Sequence, residues 1–529
     1  MTTKKNSEFI NRVRIYMQKN NTTFVFLGIV LVVSYGFELF NINLTIDEEL
    51  AALHTQINPG FISSGRWGLY LLTKIFFPKQ VIPIIPLLFT LFSHSISILL
   101  LLKIFEIENQ TTRTILTLFG LGWPGLAYIY SFSFVNFAIG FGFLCIALSL
   151  FVLLKSKRRL KFLAALPIAL VFSIYQPLIQ PLVMVFIFFA LFRWHEEHKN
   201  LPRFFLSSLL VLGLGYALYY AVQQLFLFAF NAQSSDYVSH YFNLSGLFQN
   251  LGWYLQKLAR LAYNIFIGDS SFYGLAIRSL PLFLLFAGIL ILFTRYKNRT
   301  KLGDFLLFLG LLVVFSILPF IGGILTKGYI PYRSLLGVPI FLMGWAALSL
   351  KYASHKAKIV LGVLAAFTLF QFSVSTNHLF ASSAFAYEED KLLAYQLVTR
   401  IEEEKIKASA ENIRYLEMIG YMDRTLTPLV SRIENIGASF FGWDEGNSLR
   451  AVSFLKVLGY TSLDALPSER RADYIEYGMS MATWPKAGSV IVVDDVVLVK
   501  FSPYSPTQIK TICKTASEQN LPNDFCPNP

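Results

Sequence analysis

Long apolar runs separated by short polar connections dominate residues 1–376 of the chain. A helix of about 20 apolar residues is long enough to cross the hydrocarbon core of a bilayer, which is about 30 Å thick. Gln176-Pro177 interrupts one apolar stretch, and this predicts two helices joined as a tight hairpin. The pattern predicts about eleven transmembrane helices, near residues 23–42, 80–102, 114–131, 134–154, 162–176, 177–194, 204–230, 276–294, 304–325, 334–350 and 359–376.

The composition agrees with a polytopic membrane protein. Hydrophobic residues make up 55% of the 529 residues and charged residues only 15%, whereas soluble proteins have about 25% charged residues. This composition excludes a soluble enzyme with a single membrane anchor.

Most Lys and Arg residues before Asn377 lie in the N-terminal segment and in every second connection between the predicted spans. Because basic residues concentrate in cytoplasmic loops, we expect a cytoplasmic N-terminus. Eleven crossings then place the first loop and the C-terminal residues on the outer side. The net charge of +13 follows from this distribution and suits the anionic cytoplasmic leaflet, so it does not indicate nucleic-acid binding.

Residues 377–529 predict a second domain, because they carry more acidic than basic residues and lack long apolar runs. We predict an amphipathic helix over 387–407, and two short strands within 489–500 that turn at Asp494-Asp495. The predicted organisation is a transmembrane domain over 1–376 and a small α/β domain over 377–529 on the outer face. An oxidising compartment there would allow a disulfide between Cys513 and Cys526.

Three consecutive acids, Asp47-Glu48-Glu49, follow the first predicted span. Acidic residues beside a bilayer are costly and therefore point to function. The spacing of Thr45 and Glu48 fits a capping box, which predicts a short helix and offers Glu48 a structural role. His54 lies nearly two helical turns after Asp47, which predicts a shared face. We favour Asp47 as a catalytic acid or base, followed by Glu48, and expect Glu49 to be solvated. For His54, a structural hydrogen-bonding role is favoured over a catalytic one.

The same loop contains Ser63-Ser64-Gly65-Arg66-Trp67-Gly68. The Arg66 guanidinium can bind a phosphate through two parallel hydrogen bonds, or it can pair with Asp47. Trp67 can stack on a sugar ring, or it can anchor the chain at the membrane interface.

A later connection, 326–333, contains two cations and two tyrosines around Pro331. Lys327, Tyr332 and Arg333 suit a phosphate at the level of the lipid headgroups, although Arg333 could also extend to the interface without a function.

Weaker candidates are Asp269 in the connection 268–274 and the pair Tyr175-Gln176, which can bind a sugar or pack helices together. The sequence lacks a Gly-rich phosphate loop, an HExxH motif, a nucleophile elbow and paired CxxC motifs. ATPase, zinc protease, serine hydrolase and thiol redox functions therefore have no support.

Several of these segments together resemble a known family, the integral-membrane O-antigen glucosyltransferases. These are the phage-type serotype-converting enzymes of the GT-C superfamily. The resemblance covers about residues 20–410, and many relatives carry two Asp residues in the first loop where this chain has Asp-Glu. The segments that carry the resemblance are Asp47-Glu48, Ser64-Gly65-Arg66-Trp67-Gly68, Tyr175-Gln176, Pro331-Tyr332-Arg333, Asn377-His378-Leu379-Phe380 and Tyr387-Glu388-Glu389-Asp390.

The resemblance implies a GT-C-like fold in the bacterial inner membrane and transfer of a hexose, usually glucose, from undecaprenyl phosphate. The acceptor would be a hydroxyl of O-antigen or lipopolysaccharide on the periplasmic face. Asp47 or Glu48 would be the base of an inverting reaction, and Arg333, Lys327 or Arg66 would bind the donor phosphate. No cofactor and no obligatory metal are expected. The candidates for sugar or acceptor binding are Trp67, His54, Tyr332, Tyr175, Gln176 and Asp269.

Two alternatives stay open at this point. A transporter of lipid-linked sugars or polysaccharides would also have many spans, but it should carry polar groups near the middle of the bilayer. The ionisable residues of this chain lie mostly at the ends of the predicted spans, which favours an enzyme. A GT-C transferase for another sugar or acceptor, such as teichoic acid or lipid A, is the second alternative.

Overall fold

A computed structural model describes residues 18, 20–54, 57–77, 81–194, 200–235, 250–297, 302–326, 328–409, 412–422 and 428–518. The chain divides into two compact units. The first unit contains Met1–Ile42 and Gln56–Phe380, and the second contains Asn43–Thr55 and Ala381–Pro529. No local pattern indicated that Asn43–Thr55, which carries the three acids, belongs with the C-terminal residues.

The first unit is helical wherever the structure describes regular elements. Its α-helices are Asn21–Phe40, Gly60–Ser63, Trp67–Phe76, Ile85–Ile104, Gln110–Gly122, Ala127–Tyr130, Ser133–Lys155, Ala165–Ile174, Ile179–Phe192, Leu201–Ala229, Leu251–Phe266, Ser270–Tyr273, Ser279–Lys297, Leu302–Ile317, Gly322–Leu325, Val338–Tyr352 and the part of His355–Ala408 that ends at Phe380. Short 3-10 helices are Pro124–Leu126, Arg158–Ala164, Gln176–Leu178, Leu318–Phe320 and Tyr332–Ser334.

Within the described ranges, six helices are long and apolar enough to cross a membrane. They are Asn21–Phe40, Ile85–Ile104, Ser133–Lys155, Leu201–Ala229, Leu302–Phe320 and His355–Ala408. Three shorter apolar helices are Gln176–Phe192, Ser279–Thr294 and Val338–Lys351. These helices indicate a membrane protein, while the number of eleven crossings stays a prediction.

The predicted helix break at Gln176-Pro177 is confirmed. Tyr175 has an extended backbone, with φ −158° and ψ 118°, and it ends the helix Ala165–Ile174. Pro177 then lies in the first turn of the 3-10 helix Gln176–Leu178, where its missing N–H costs little. The break directs the polar side chains of Tyr175 and Gln176 away from a regular helix.

The second unit combines helices with one four-stranded sheet. Strand β1 (Tyr415–Ile419) is parallel to β2 (Asp464–Ala465) and to β4 (Val496–Lys500), while β3 (Val490–Val493) is antiparallel to β4. The predicted strand pair and its turn at Asp494-Asp495 are confirmed. The described helices are Glu48–Leu53, His355–Ala408 from Ala381 onward, Ser448–Val457, Ile475–Ser480, Pro506–Glu518 and the 3-10 helices Trp443–Glu445 and Ser468–Tyr474.

Ile46 joins the acid segment to the core of the second unit. Its side chain is 2% exposed and packs in one cluster with Leu397, Met418 and Phe454. Burying such a side chain stabilises by about 1.5–3 kcal/mol. Because Ile46 directly precedes Asp47, this burial fixes the backbone at the start of the acidic helix.

Candidate active site

The acid segment is shaped by Glu48, whose carboxylate turns back onto the preceding chain. Glu48 Oε2 accepts hydrogen bonds from the backbone N–H and the hydroxyl of Thr45, each at 2.9 Å. This is one arm of the predicted capping box; the Glu48 N–H bonds to the Thr45 carbonyl oxygen instead. Asp47 is the residue before the helix Glu48–Leu53, and its φ of 81° lies in the left-handed region. The capping interaction therefore gives Glu48 a structural role.

Arg450, from the helix Ser448–Val457, binds three carboxylates of the second unit. Its Nη2 donates to Asp47 Oδ1 at 2.7 Å, its Nη1 to Glu49 Oε1 at 2.6 Å, and its Nε to Asp444 Oδ2 at 2.7 Å. The Arg450 side chain is 11% exposed, whereas those of Asp47 and Asp444 are 47% and 46% exposed. Short charge-assisted bonds of this kind fix both partners. The guanidinium therefore binds one oxygen of Asp47, Oδ1.

Glu49 is buried, which corrects the expectation that it would be solvated. Its side chain has no exposed surface. Burial raises the pKa of Glu49 to about 7, and the guanidinium of Arg450 opposes this rise. The second carboxylate oxygen of Glu49 makes no hydrogen bond within the described part of the chain. Ile46 and the other apolar residues of this unit bury the segment, a tertiary effect that the local sequence did not indicate.

The predicted helix face shared by Asp47 and His54 is wrong. The helix Glu48–Leu53 excludes both residues. Asp47 has the left-handed backbone described above, and His54 is extended at the other end, with φ −85° and ψ 122°. Helical phase therefore does not relate their side chains, and the His54 side chain is exposed.

In the first unit, Arg66 and Gln176 form a second polar cluster. Arg66 Nε donates to Gln176 Oε1 at 3.2 Å, and Gln176 Nε2 donates to the Ser64 carbonyl oxygen at 3.0 Å. The guanidinium carbon of Arg66 lies 5.1 Å from the centre of the Tyr175 ring, a cation–π distance. Among the described residues, none accepts a hydrogen bond from the terminal nitrogens of Arg66. Asp47, the sequence-predicted alternative partner, pairs with Arg450.

Gly65 allows the turn that carries Arg66. Its φ of +78° suits glycine, and a Cβ at this position would lie 2.6 Å from the Tyr219 hydroxyl. That hydroxyl donates to the Gly65 carbonyl oxygen at 3.1 Å. The turn before Arg66 therefore needs both the left-handed backbone and the absence of a side chain.

The 3-10 helix Tyr332–Ser334 joins the same cluster through a hydroxyl. The Tyr175 hydroxyl and Ser334 Oγ are 3.2 Å apart. The Tyr332 ring packs on Phe272, with ring centres 4.7 Å apart, and the Arg333 guanidinium lies 5.9 Å from the centre of the Phe132 ring. Lys327 lies outside the described residues.

Trp67 and Asp269 have structural contacts. The Trp67 side chain is 7% exposed and stacks on Phe226, with ring centres 5.7 Å apart. Asp269 precedes the helix Ser270–Tyr273, and its carboxylate accepts the Ser271 N–H at 2.7 Å. Hydrogen bonds from the side chain and then from the backbone N–H of Ser271 lower the pKa of Asp269. In this structure the Asp269 side chain caps a short helix, and the Trp67 side chain packs against another ring.

The sequence did not reveal Arg450 and Asp444, which belong to the acid cluster. Arg450 is 403 positions from Asp47, and no local pattern relates the two. The one available signal was Asn447, whose side chain accepts the Leu449 N–H and caps the helix that carries Arg450.

Within the described ranges, no group of three or more His, Cys, Asp or Glu side chains could hold a metal ion. The predicted independence of a metal stays a prediction. Cys513 is disulfide-bonded, and Cys526 lies outside the described residues.

Comparison with known proteins supplies the family. Searches of curated proteins and of solved structures each found no match. The family model described as Glucosyl transferase GtrII matches residues 36–350, which is more than half of the chain. The match covers the acid segment, Arg66, Gln176 and the helix Tyr332–Ser334, and it agrees with the resemblance inferred from the sequence. The chain therefore belongs to the GtrII glucosyl transferase family.

Proposed function

We propose that the protein transfers glucose from undecaprenyl phosphate to a hydroxyl of O-antigen polysaccharide on the periplasmic face of the inner membrane, with Asp47 as the base. The observation that carries the proposal is that the Asp47 carboxylate is exposed and only partly hydrogen-bonded. Arg450 binds its Oδ1, and Oδ2 accepts no hydrogen bond from the described residues. The side chain is 47% exposed, so that a sugar hydroxyl can reach it.

The proposed reaction is a single displacement with inversion. Asp47 takes the proton of the acceptor hydroxyl, whose oxygen forms a bond to the anomeric carbon of the donor sugar. The bond from that carbon to the phosphate oxygen breaks, and undecaprenyl phosphate leaves with the electron pair. The leaving group is a stable anion, and it needs positive charge nearby rather than a proton donor.

Arg66 is the proposed ligand of the donor phosphate. Gln176 accepts a hydrogen bond from its Nε, and the guanidinium carbon lies over the Tyr175 ring. These two contacts leave the terminal nitrogens for a second partner. A planar fork of this kind binds two phosphate oxygens at once. Arg333 and Lys327 remain further candidates for the same role.

Glu48 is the weaker candidate for the base. Its side chain is 1% exposed, and its carboxylate already accepts two hydrogen bonds from Thr45. Replacing this carboxylate would disturb the turn that positions Asp47. A loss of activity in Glu48→Gln alone would therefore be ambiguous.

The test compares Asp47→Asn with Asp444→Asn in the purified full-length protein. Both residues are about half exposed and both bind Arg450, so each variant weakens one bond of the same guanidinium. With undecaprenyl-phosphate-glucose and O-antigen polysaccharide, we expect Asp47→Asn to lower kcat at least 100-fold. Asp444→Asn should stay within about threefold of the wild type.

Three results would contradict parts of the proposal. Equal losses in the two variants would reduce Asp47 to a structural partner of Arg450. Full activity of Asp47→Asn would exclude it as the base. Transfer from undecaprenyl-phosphate-linked sugars other than glucose, with no transfer of glucose, would keep the mechanism and change the donor.

A further inference from the structure

A cleft of about 660 Å³ opens in the second unit, at the end of β4. Its volume lies within the range of about 300–1,000 Å³ that is typical of small-molecule sites. None of the described residues that line it carries a formal charge at neutral pH. The walls are instead rich in aromatic rings and hydroxyl groups, contributed among others by Tyr421, Thr483, Trp484, Phe501, Ser502 and Tyr504.

The aromatic wall is held by the sheet. Phe501 follows β4 directly, and its N–H donates to the carbonyl oxygen of Ile419 at 2.9 Å. The Trp484 N–H donates to the Lys500 carbonyl oxygen at 2.8 Å. The rings of Trp484 and Phe501 have centres 6.2 Å apart and planes inclined by 63°. Phe501 is therefore held at the end of β4, and Trp484 lies in a turn whose backbone is bonded to that strand.

Polar groups line the same cleft. The backbone N–H of Tyr421 donates to Ser502 Oγ at 3.0 Å, which fixes these two residues against each other. Trp484 is half-buried, and none of the described residues accepts a hydrogen bond from its indole N–H. The Tyr421 hydroxyl and the Thr483 hydroxyl likewise make no bond to a described residue.

This chemistry matches a neutral sugar better than an anion or an apolar chain. A pyranose ring has an apolar C–H face that packs on aromatic rings, and an edge of hydroxyls that exchange hydrogen bonds with polar side chains. A lipid phosphate would require cations in the walls, and an acyl chain would leave the polar groups unsatisfied.

We propose that this cleft binds a neutral segment of the polysaccharide acceptor, with the ring of Trp484 as its stacking platform. The identification of this saccharide as the acceptor rests on the function proposed above. The binding of a saccharide as such is argued only from the residues that line the cleft. The acceptor polysaccharide is long, and a second contact site away from the reacting hydroxyl increases its affinity by multivalent binding.

The test uses the detergent-solubilised full-length protein and oligosaccharides of one to three repeat units, released by mild acid from the lipopolysaccharide of the source strain. Affinity is measured by saturation-transfer NMR and by calorimetry. We expect Trp484→Ala to weaken binding at least tenfold, and Trp484→Phe to weaken it less, because a ring remains. Tyr421→Ala, which removes a second wall, should also weaken binding.

The matched control is Tyr395→Ala. Tyr395 is an aromatic residue of the same unit, 51% exposed, and it does not line the cleft. The affinity of this variant for the oligosaccharides should equal that of the wild type. Each variant is melted beside the wild type, and Tyr421→Ala provides the comparison if Trp484→Ala does not fold.

The outcomes separate this inference from the proposed function. In transfer assays, Trp484→Ala should raise the KM for the acceptor about tenfold while leaving kcat within about twofold. Transfer with wild-type acceptor KM and affinity in both Trp484→Ala and Tyr421→Ala would overturn the cleft and leave the enzyme function standing. Oligosaccharide binding that depends on Trp484, without any transfer of sugar, would support the cleft and contradict the proposed transferase function. Absence of oligosaccharide binding to the wild type would also overturn the cleft.

Discussion

Replacing Arg450 by Met should destabilise the second unit, because it leaves a buried carboxylate without its cation. Met keeps much of the apolar volume of the side chain and removes all three charged hydrogen bonds. The loss is unequal, since Asp47 and Asp444 are about half exposed while Glu49 has no exposed surface.

The magnitude follows from these exposures. Each exposed pair contributes about 0–1 kcal/mol, because water solvates the partner that remains. Breaking the buried pair costs about 3–5 kcal/mol if Glu49 stays ionised. Glu49 can instead take up a proton, since its pKa is already about 7, so we expect the cost to be largest at pH 8 and smaller at pH 5.5. A cost of about 3 kcal/mol lowers the melting temperature by about 6–12 °C for a unit of this size.

The assay is thermal unfolding of the full-length protein in detergent at pH 8 and pH 5.5, at one scan rate. The double variant Arg450→Met/Glu49→Gln provides the comparison. The neutral amide that Glu49→Gln introduces leaves no buried charge, so the double variant should melt above Arg450→Met alone at pH 8. Such non-additivity is the signature of a direct interaction.

Two results would refute the reasoning. One is a melting temperature for Arg450→Met equal to that of the wild type at pH 8. The other is additive losses in the double variant, which would mean that Arg450 stabilises by packing alone. A loss that is identical at the two pH values would contradict the part assigned to the proton of Glu49.

Three further outcomes follow from the contacts described above. Between pH 4.5 and 7 the folded state holds a proton on Glu49 that the unfolded state has lost, so stability falls as the pH rises, by up to about 3 kcal/mol. Melting Glu49→Gln beside the wild type isolates this effect from Glu417, whose pKa burial also raises to about 7; a constant difference between pH 5 and 8 would contradict it. Gly65→Ala should cost about 1–3 kcal/mol of stability through its positive φ and the Tyr219 hydroxyl, and an unchanged melting curve would exclude that strain. Arg66→Lys keeps the charge but loses the planar fork, so it should raise the KM for the donor about tenfold; steady-state kinetics that show a change only in the acceptor KM would remove Arg66 from the donor site.

Local patterns predicted local structure well. Pro177 breaks a helix because its ring clashes with the preceding turn, and this effect is independent of distant contacts. The strand pair Val490–Val493 and Val496–Lys500 is similarly local, since two short Val-rich apolar runs and the two-residue turn between them define it. The predicted helix over 387–407 is confirmed as part of His355–Ala408.

Hydropathy alone was less informative about the number of crossings. The predicted span 114–131 is divided in the structure, because Pro124 begins a 3-10 turn directly after Trp123. The remaining helix Gln110–Gly122 has 13 residues, fewer than the about 20 that cross a bilayer without help. The mean hydropathy of residues 114–131 does not show this break in the helix, because the strongly apolar residues around Trp123, Pro124 and Gly125 keep the average high.

The candidate site was predicted only where its chemistry is local. The bond between Thr45 and Glu48 follows from their spacing, whereas the burial of Glu49 and its pairing with Arg450 depend on residues about 400 positions away. A single sequence contains no measure of such pairs. The sequence therefore shows three consecutive acids but not the guanidinium that binds two of them.

The separation of Glu49 from Arg450 along the chain has a consequence for synthesis. At about 5–20 residues per second, the ribosome needs roughly 20–80 seconds to add the 401 residues that follow Glu49 up to and including Arg450. During that interval Ile46 lacks the apolar core in which it is later buried, and Glu49 lacks the guanidinium that later binds it. The acid segment is made early and acquires its final arrangement late, so nascent chains released before Arg450 would carry the proposed base without the partner that orients it.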